Sequence, residues 1–150
     1  MAVYKIFPEK SSTLYSYYPT LNAGIDEILD LSTYYSLQGT NEVSRILIKF
    51  SQDQINDVMT NKIDGSSYDV YFKAYLANAS EIPLNYNLEF KALSQDWNMG
   101  TGRLSNSPIT TDGVSWVFTN QSGSTKWTTG TFQPDTTGSY SGTNMGGGTW

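Results

Sequence analysis

Between Val43 and Phe50 the chain reads Val-Ser-Arg-Ile-Leu-Ile-Lys-Phe, and no other stretch constrains the fold as tightly. Successive side chains of an extended chain point to opposite faces. Val43, Arg45, Leu47 and Lys49 therefore share one face, and Ser44, Ile46, Ile48 and Phe50 the other. The second set is the more apolar and is expected to face the core. Arg45 and Lys49 would lay their stems along neighbours and keep their charged heads in water. Immediately afterwards, Ser51 and Gln54 stand at the spacing of a capping box, and Ile55, Val58 and Met59 keep helical spacing. A core strand running straight into a short amphipathic helix is expected.

Around this unit the chain punctuates itself with proline and glycine. Ala2–Phe7 reads as a strand stopped by Pro8, and Thr13–Tyr18 as an aromatic strand stopped by Pro19, since proline cannot donate to a sheet ladder. Asn22 to Leu31 fits two periods: Ile25, Ile28 and Leu29 suit a helix, whereas Ile25, Glu27, Leu29 and Leu31 suit a strand. Thr33, Tyr34 and Tyr35 favour sheets, so the segment is read as a strand reaching about Leu37, with Gly39-Thr-Asn as the following turn. Tyr68–Leu76 alternates Tyr68, Val70, Phe72, Ala74 and Leu76 against Asp69, Tyr71, Lys73 and Tyr75. Leu84–Leu93 sets Leu84, Tyr86, Leu88, Phe90 and Ala92 on one face. Joined through Asn78–Pro83, these runs are expected to form an antiparallel pair.

Beyond Trp97 the composition turns to Gly, Ser, Thr and Asn, and only Val114–Phe118 and Lys126–Phe132 read as strands. The sum is an all-β chain, an antiparallel β-sandwich or jelly roll with one short helix and a Gly/Ser/Thr-rich C-terminal region. Residues 1–118 are read as the sandwich domain and 119–150 as a loop-rich extension that continues into closing strands.

Composition narrows the chemistry. The chain of 150 residues has no cysteine and no histidine, which removes thiolate sites, the commonest general base and the commonest metal ligand. No Gly-x-Ser-x-Gly elbow is present, so no catalytic residue is assigned and the chain is not read as an enzyme. Asp26, Glu27, Asp30, Glu89 and Asp96 are read as solvated carboxylates. Asn61, Asp64 and Asp69 around Gly65 miss the spacing of a calcium loop and read as a turn, so no metal or cofactor is expected. A net charge of −5, with 9 basic residues scattered singly, argues against a nucleic-acid or anionic-membrane partner. The start lacks a long apolar segment, which points to synthesis in the cytoplasm.

The aromatic residues carry the binding expectation. With 11 Tyr and 4 Trp, the chain has more rings than a core needs. Trp97 and Trp116 are read as core. Tyr71 and Tyr75, on the face of their run opposite the apolar one, and Tyr34 and Tyr35, in an early cluster with Tyr15, Tyr17 and Tyr18, are the candidates for a sugar platform or a subunit contact.

The order of these pieces resembles a known family. Asn22-Ala-Gly24, then Ser44 to Phe50, a helical turn carrying Ile55, two alternating runs, Asp96-Trp97 with Gly100-Thr101 behind it, and Val114-Ser-Trp116 are similar to the DNRLRE domain. That family is also described as family 96 carbohydrate-binding modules and implies a jelly-roll β-sandwich. The likeness covers Val3 to Trp116. It departs from the compact Trp-x-Glu-Gly form, with Asn98 and Met99 where the acid would stand, and the family's closing strands would follow Trp150. The wording of Asp96–Gly102, Ile109–Trp116 and Gly146–Trp150 resembles more closely a branch carried as structural proteins of tailed bacteriophages. This implies a virion protein, a neck, tail or head-surface component made in the host bacterial cytoplasm. It would assemble as a homo-oligomer with other virion proteins, the open sandwich edge being covered by a partner. The alternative implied is a carbohydrate-binding module for a bacterial surface or wall polysaccharide.

Overall fold

Three strands meet around the alternating stretch. In this computed structural model, which describes residues 3–35, 39, 41–63, 67–79 and 88–127, strand β1 spans Pro8–Tyr15, β2 Thr33–Tyr35 and β3 Asn41–Phe50. β3 lies in the middle and is antiparallel to both neighbours, with Ser12 opposite Leu47, Leu14 opposite Arg45 and Thr33 opposite Val43. The Ser51 hydroxyl accepts the Gln54 N–H at 3.4 Å and starts helix α1, Gln52–Asp57, which widens into a π-helical turn at Val58–Lys62. Further on, β4 (Phe118–Asn120) pairs antiparallel with β5 (Thr125–Lys126). The described residues thus form a mainly-β fold of antiparallel sheets with one short α-helix.

The principal core lies on the side of β3 opposite to the one its apolar pattern suggests. Leu14, Leu47, Trp97, Val114, Trp116 and Trp127 are buried together, with Val43, Leu93 and Met99 packed against them. Directly opposed residues of an antiparallel pair share a face, so Ser12, Leu14, Val43, Arg45 and Leu47 all belong to this side. The charged residues among them act as lids. The Arg45 guanidinium carbon lies 4.9 Å from the Trp116 ring centroid, and Lys10 Nζ lies 4.5 Å from that of Trp97. A planar, weakly hydrated guanidinium stacks on an indole while keeping part of its water, so cationic residues tolerate this face. On the opposite side Tyr15, Leu21 and Ala23 form a smaller buried cluster with Tyr17 against it, and Ile46, Ile48 and Phe50 are half-buried.

Several expected elements fall differently. Val3–Phe7 forms no strand. Pro8 opens β1 rather than ending one, a position where its missing N–H breaks no interior ladder bond. After Tyr15 the chain turns, Tyr18 N–H donating to the Tyr15 carbonyl and Leu21 N–H to that of Tyr18, so the aromatic strand stops early. Asn22–Ser32 is a loop, and within the described part of the long strand Thr33–Tyr35 alone pairs. Val114–Phe118 gives way to a strand starting at Phe118. Within 67–79 and 88–93 the described residues join no sheet, although the Phe72 and Phe90 rings meet edge-on at 5.3 Å. Alternation assigns faces, but a strand exists only where another chain segment takes its N–H and C=O groups. β4 crosses residue 118 and Trp127 enters the same core as Trp116, so the start of 119–150 packs with the residues before it. The expectations at Ser36–Gln38, Asp64–Ser66, Leu84, Tyr86, residues 128–132 and Gly146–Trp150 lie outside the described residues.

Candidate functional site

Asn22 sits where three loops cross. It is fully buried, and its backbone N–H donates to the Thr110 carbonyl at 2.9 Å. Its Nδ2 donates to the carbonyls of Met99 at 2.7 Å and Val114 at 2.8 Å. Its Oδ1 accepts the N–H of Gly102 at 2.7 Å and of Gly24 at 3.3 Å. A carboxamide offers two donors and two acceptor lone pairs, so every one is used. The backbones approach so closely that a Cβ at Gly24 would strike the Met99 carbonyl and one at Gly102 the Asn22 carbonyl, while Gly100 holds φ +73°. Nearby, Asp112 accepts the Thr101 hydroxyl at 2.5 Å and its N–H at 3.1 Å. Burial pushes the Asp112 carboxyl up, but the bonds from Thr101 outweigh it and hold the group below the usual carboxylate range. The motif residues Asn22, Gly24, Trp97, Gly100, Thr101, Val114 and Trp116, dispersed in sequence, are thus brought together as a structural knot whose central carboxamide is saturated by backbone groups and has no position left for a ligand.

The open aromatic surface lies elsewhere. Tyr17 stacks its edge on Tyr15 at 5.3 Å, meets Tyr18 at 4.6 Å and Tyr34 at 6.0 Å, the last two rings being about half exposed. Of the four candidate tyrosines, Tyr34 therefore belongs to a ring cluster with Tyr15, Tyr17 and Tyr18, the residues expected to cluster with it, although Tyr17 and Tyr18 are not themselves among the binding candidates. Their spacing in a turn gives no periodic signal. Tyr35, opposite Asn41 on β2, points to the other face and is separated from the cluster by the sheet. Tyr71 and Tyr75 are each more than four-fifths exposed, and Lys73 Nζ stands 5.0 Å from the Tyr75 ring. Burial raises the phenols of Tyr15 and Tyr17 above the ordinary tyrosine value, most strongly at Tyr15, and the Asp30 charge adds to it.

The loop carboxylates have structural partners. Asp26 accepts the Leu104 N–H at 3.0 Å, Glu27 pairs with Arg103 at 2.5 Å, Asp30 accepts the Ser32 hydroxyl at 3.3 Å, Glu89 pairs with Lys91 at 3.2 Å, and Asp96 takes both Lys10 and Lys49. Bonds from the Trp97 N–H and the lysines hold Asp96 below the usual carboxylate range. Among the described residues no group of three or more acidic side chains is placed to hold a metal ion, and no helix is long and apolar enough to cross a membrane.

Tyr34, Tyr71 and Tyr75 do share one feature. All three line a single open groove, together with Ile46, Ile48 and Phe50 of β3. Comparison with protein-family models, with curated proteins and with solved structures finds no match. The likeness to DNRLRE domains rests on the motifs alone.

Proposed function

We propose that this chain is a β-sandwich structural protein of a tailed bacteriophage, a neck, tail or head-surface component that works by subunit assembly. The observation that carries the reading is the tyrosine-rich sheet edge. Among the described residues β2 lies at the border of its sheet with Thr33, Tyr34 and Tyr35 all exposed, and on the Tyr34 face Tyr17 links Tyr34 to the half-exposed Tyr18. Unpaired edge groups invite another chain, and Tyr contributes large contact area with little conformational entropy to lose. The phage-like wording around Trp97 and Trp116 supports the virion setting. The test is sedimentation velocity over a concentration series together with mass spectrometry of purified phage particles. Expected are reversible oligomers weakened by Tyr34→Ala plus Tyr35→Ala, and peptides of this chain in the particle. A strict monomer absent from particles would refute the reading.

A second reading rests on the Tyr17, Tyr18 and Tyr34 ring cluster, which resembles the stacking platforms that hold sugar rings. In that case the chain is a carbohydrate-binding module for a bacterial surface or wall polysaccharide. Saturable binding weakened roughly fivefold by Tyr34→Ala would favour it, since one aromatic contact contributes about 1 kcal/mol. A flat titration over a panel of such polysaccharides would remove it.

A further inference from the structure

We infer that the two alternating runs, Tyr68–Leu76 and Leu88–Ala92, close as a two-stranded flap over the Ile46, Ile48 and Phe50 side of β3 and form the second layer of the sandwich. The inference rests on the β-sandwich reading above and names the residues that would complete it.

The apolar surface to be covered and the apolar surface available to cover it line one groove. Ile46, Ile48 and Phe50, half-buried on β3, and Val70, Phe72 and Phe90, all exposed, line the same open groove. Val70 is 83% exposed, Leu76 74% and Phe90 73%, a run of apolar surface far beyond what scattered surface residues account for. The runs already meet at one point, where the Phe72 and Phe90 rings touch edge to face at an interplanar angle of 60°. By alternation, Asp69, Lys73, Glu89 and Lys91 fall on the side away from Val70, Phe72, Leu88 and Phe90. Lys73 stands over Tyr75, and Glu89 pairs with Lys91, so turning Val70, Phe72, Leu88 and Phe90 inward leaves the runs' own charges on the outer side. Length matches as well, since Tyr68–Leu76 reaches about 30 Å when extended, close to the span of β3. Closure leaves Tyr71 and Tyr75 on the outer surface.

The chain has no cysteine, so paired cysteines report closure directly. Ile48→Cys is combined in turn with Val70→Cys, Ala74→Cys and Leu88→Cys. Controls pair Ile48→Cys with Tyr71→Cys, on the outer side of the run, and Lys49→Cys with Val70→Cys, on the other side of β3. After mild oxidation at low protein concentration, at least one inward pair should form an intrachain disulfide in most molecules while both controls stay reduced. Hydrogen exchange of the unsubstituted chain supplies the independent reading: amides of both runs should exchange at least about 100-fold more slowly than in an unstructured peptide. Unprotected amides without cross-links would overturn the closure and the sandwich together. Protected amides with cross-links through Lys49→Cys would keep the sandwich and overturn this choice of face. Disulfides joining two chains would overturn it in favour of a second copy as the cover.

Discussion

The two sides of β3 differ in how their apolar surface is satisfied. On the Leu47 side, residues from distant loops converge, and Leu14, Val114 and Trp116 lose all contact with solvent. On the Ile48 side the strand is itself more apolar, yet Ile46, Ile48 and Phe50 stay half-buried. Burial therefore follows what arrives from elsewhere in the chain, not the hydrophobicity of the strand. The Leu47 side is closed by three tryptophans, Trp97, Trp116 and Trp127, held by loops that the Asn22 amide ties together. The Ile48 side has no comparable knot.

This contrast sets an order of expected effects. Trp116→Ala should cost about 4 kcal/mol in urea unfolding, because a fully buried indole leaves a cavity that its loops cannot fill. Asn22→Ala should follow at about 3 kcal/mol. It strands the Met99 and Val114 carbonyls and the Gly102 N–H without partners, each costing on the order of 1 kcal/mol or more. A loss below about 1 kcal/mol there would show that the loops hold without the knot.

Phe50→Ala sharpens the comparison on the other side. A closed flap makes it a core deletion of about 3 kcal/mol, whereas an open groove would hold the cost near 1 kcal/mol. Tyr15 tests the far end of the same side through pH. Its phenol is raised above the ordinary value of 10.0, so the contribution is fully present below that pH and is lost as the pH rises from there toward the folded value. In that window stability should fall by up to about 1.4 kcal/mol per pH unit, and Tyr15→Phe should flatten the slope. The smallest effect is expected for Tyr71→Ala, within about 0.5 kcal/mol, because the ring is exposed and lies on the outer side of its run.

Parts of this were legible in the residues. Period two at Val43–Phe50 specified the strand, and Ser51 with Gln54 specified the helix start, since both signals are local and need no partner. Trp97 and Trp116 were read as core for their size alone. Tyr34 was found as a candidate, but Tyr17 and Tyr18 were not, because the turn at Ser16–Thr20 aligns their rings without any repeat. Asn22-Ala-Gly24 and Gly100-Thr101 were visible as motifs, yet their meeting was not. A carboxamide announces four hydrogen-bonding positions and says nothing of which backbones fill them.

By itself, the sequence determined the β character, the central strand, the capped helix and the absence of histidine and cysteine chemistry, all properties of residue type and short-range spacing. Only the tertiary structure decided which face of β3 is the core. That choice depends on tryptophans about 50 or more residues away in sequence, whose rings Arg45 and Lys10 cover. Alternation divides a strand into two faces, and long-range packing alone chooses between them.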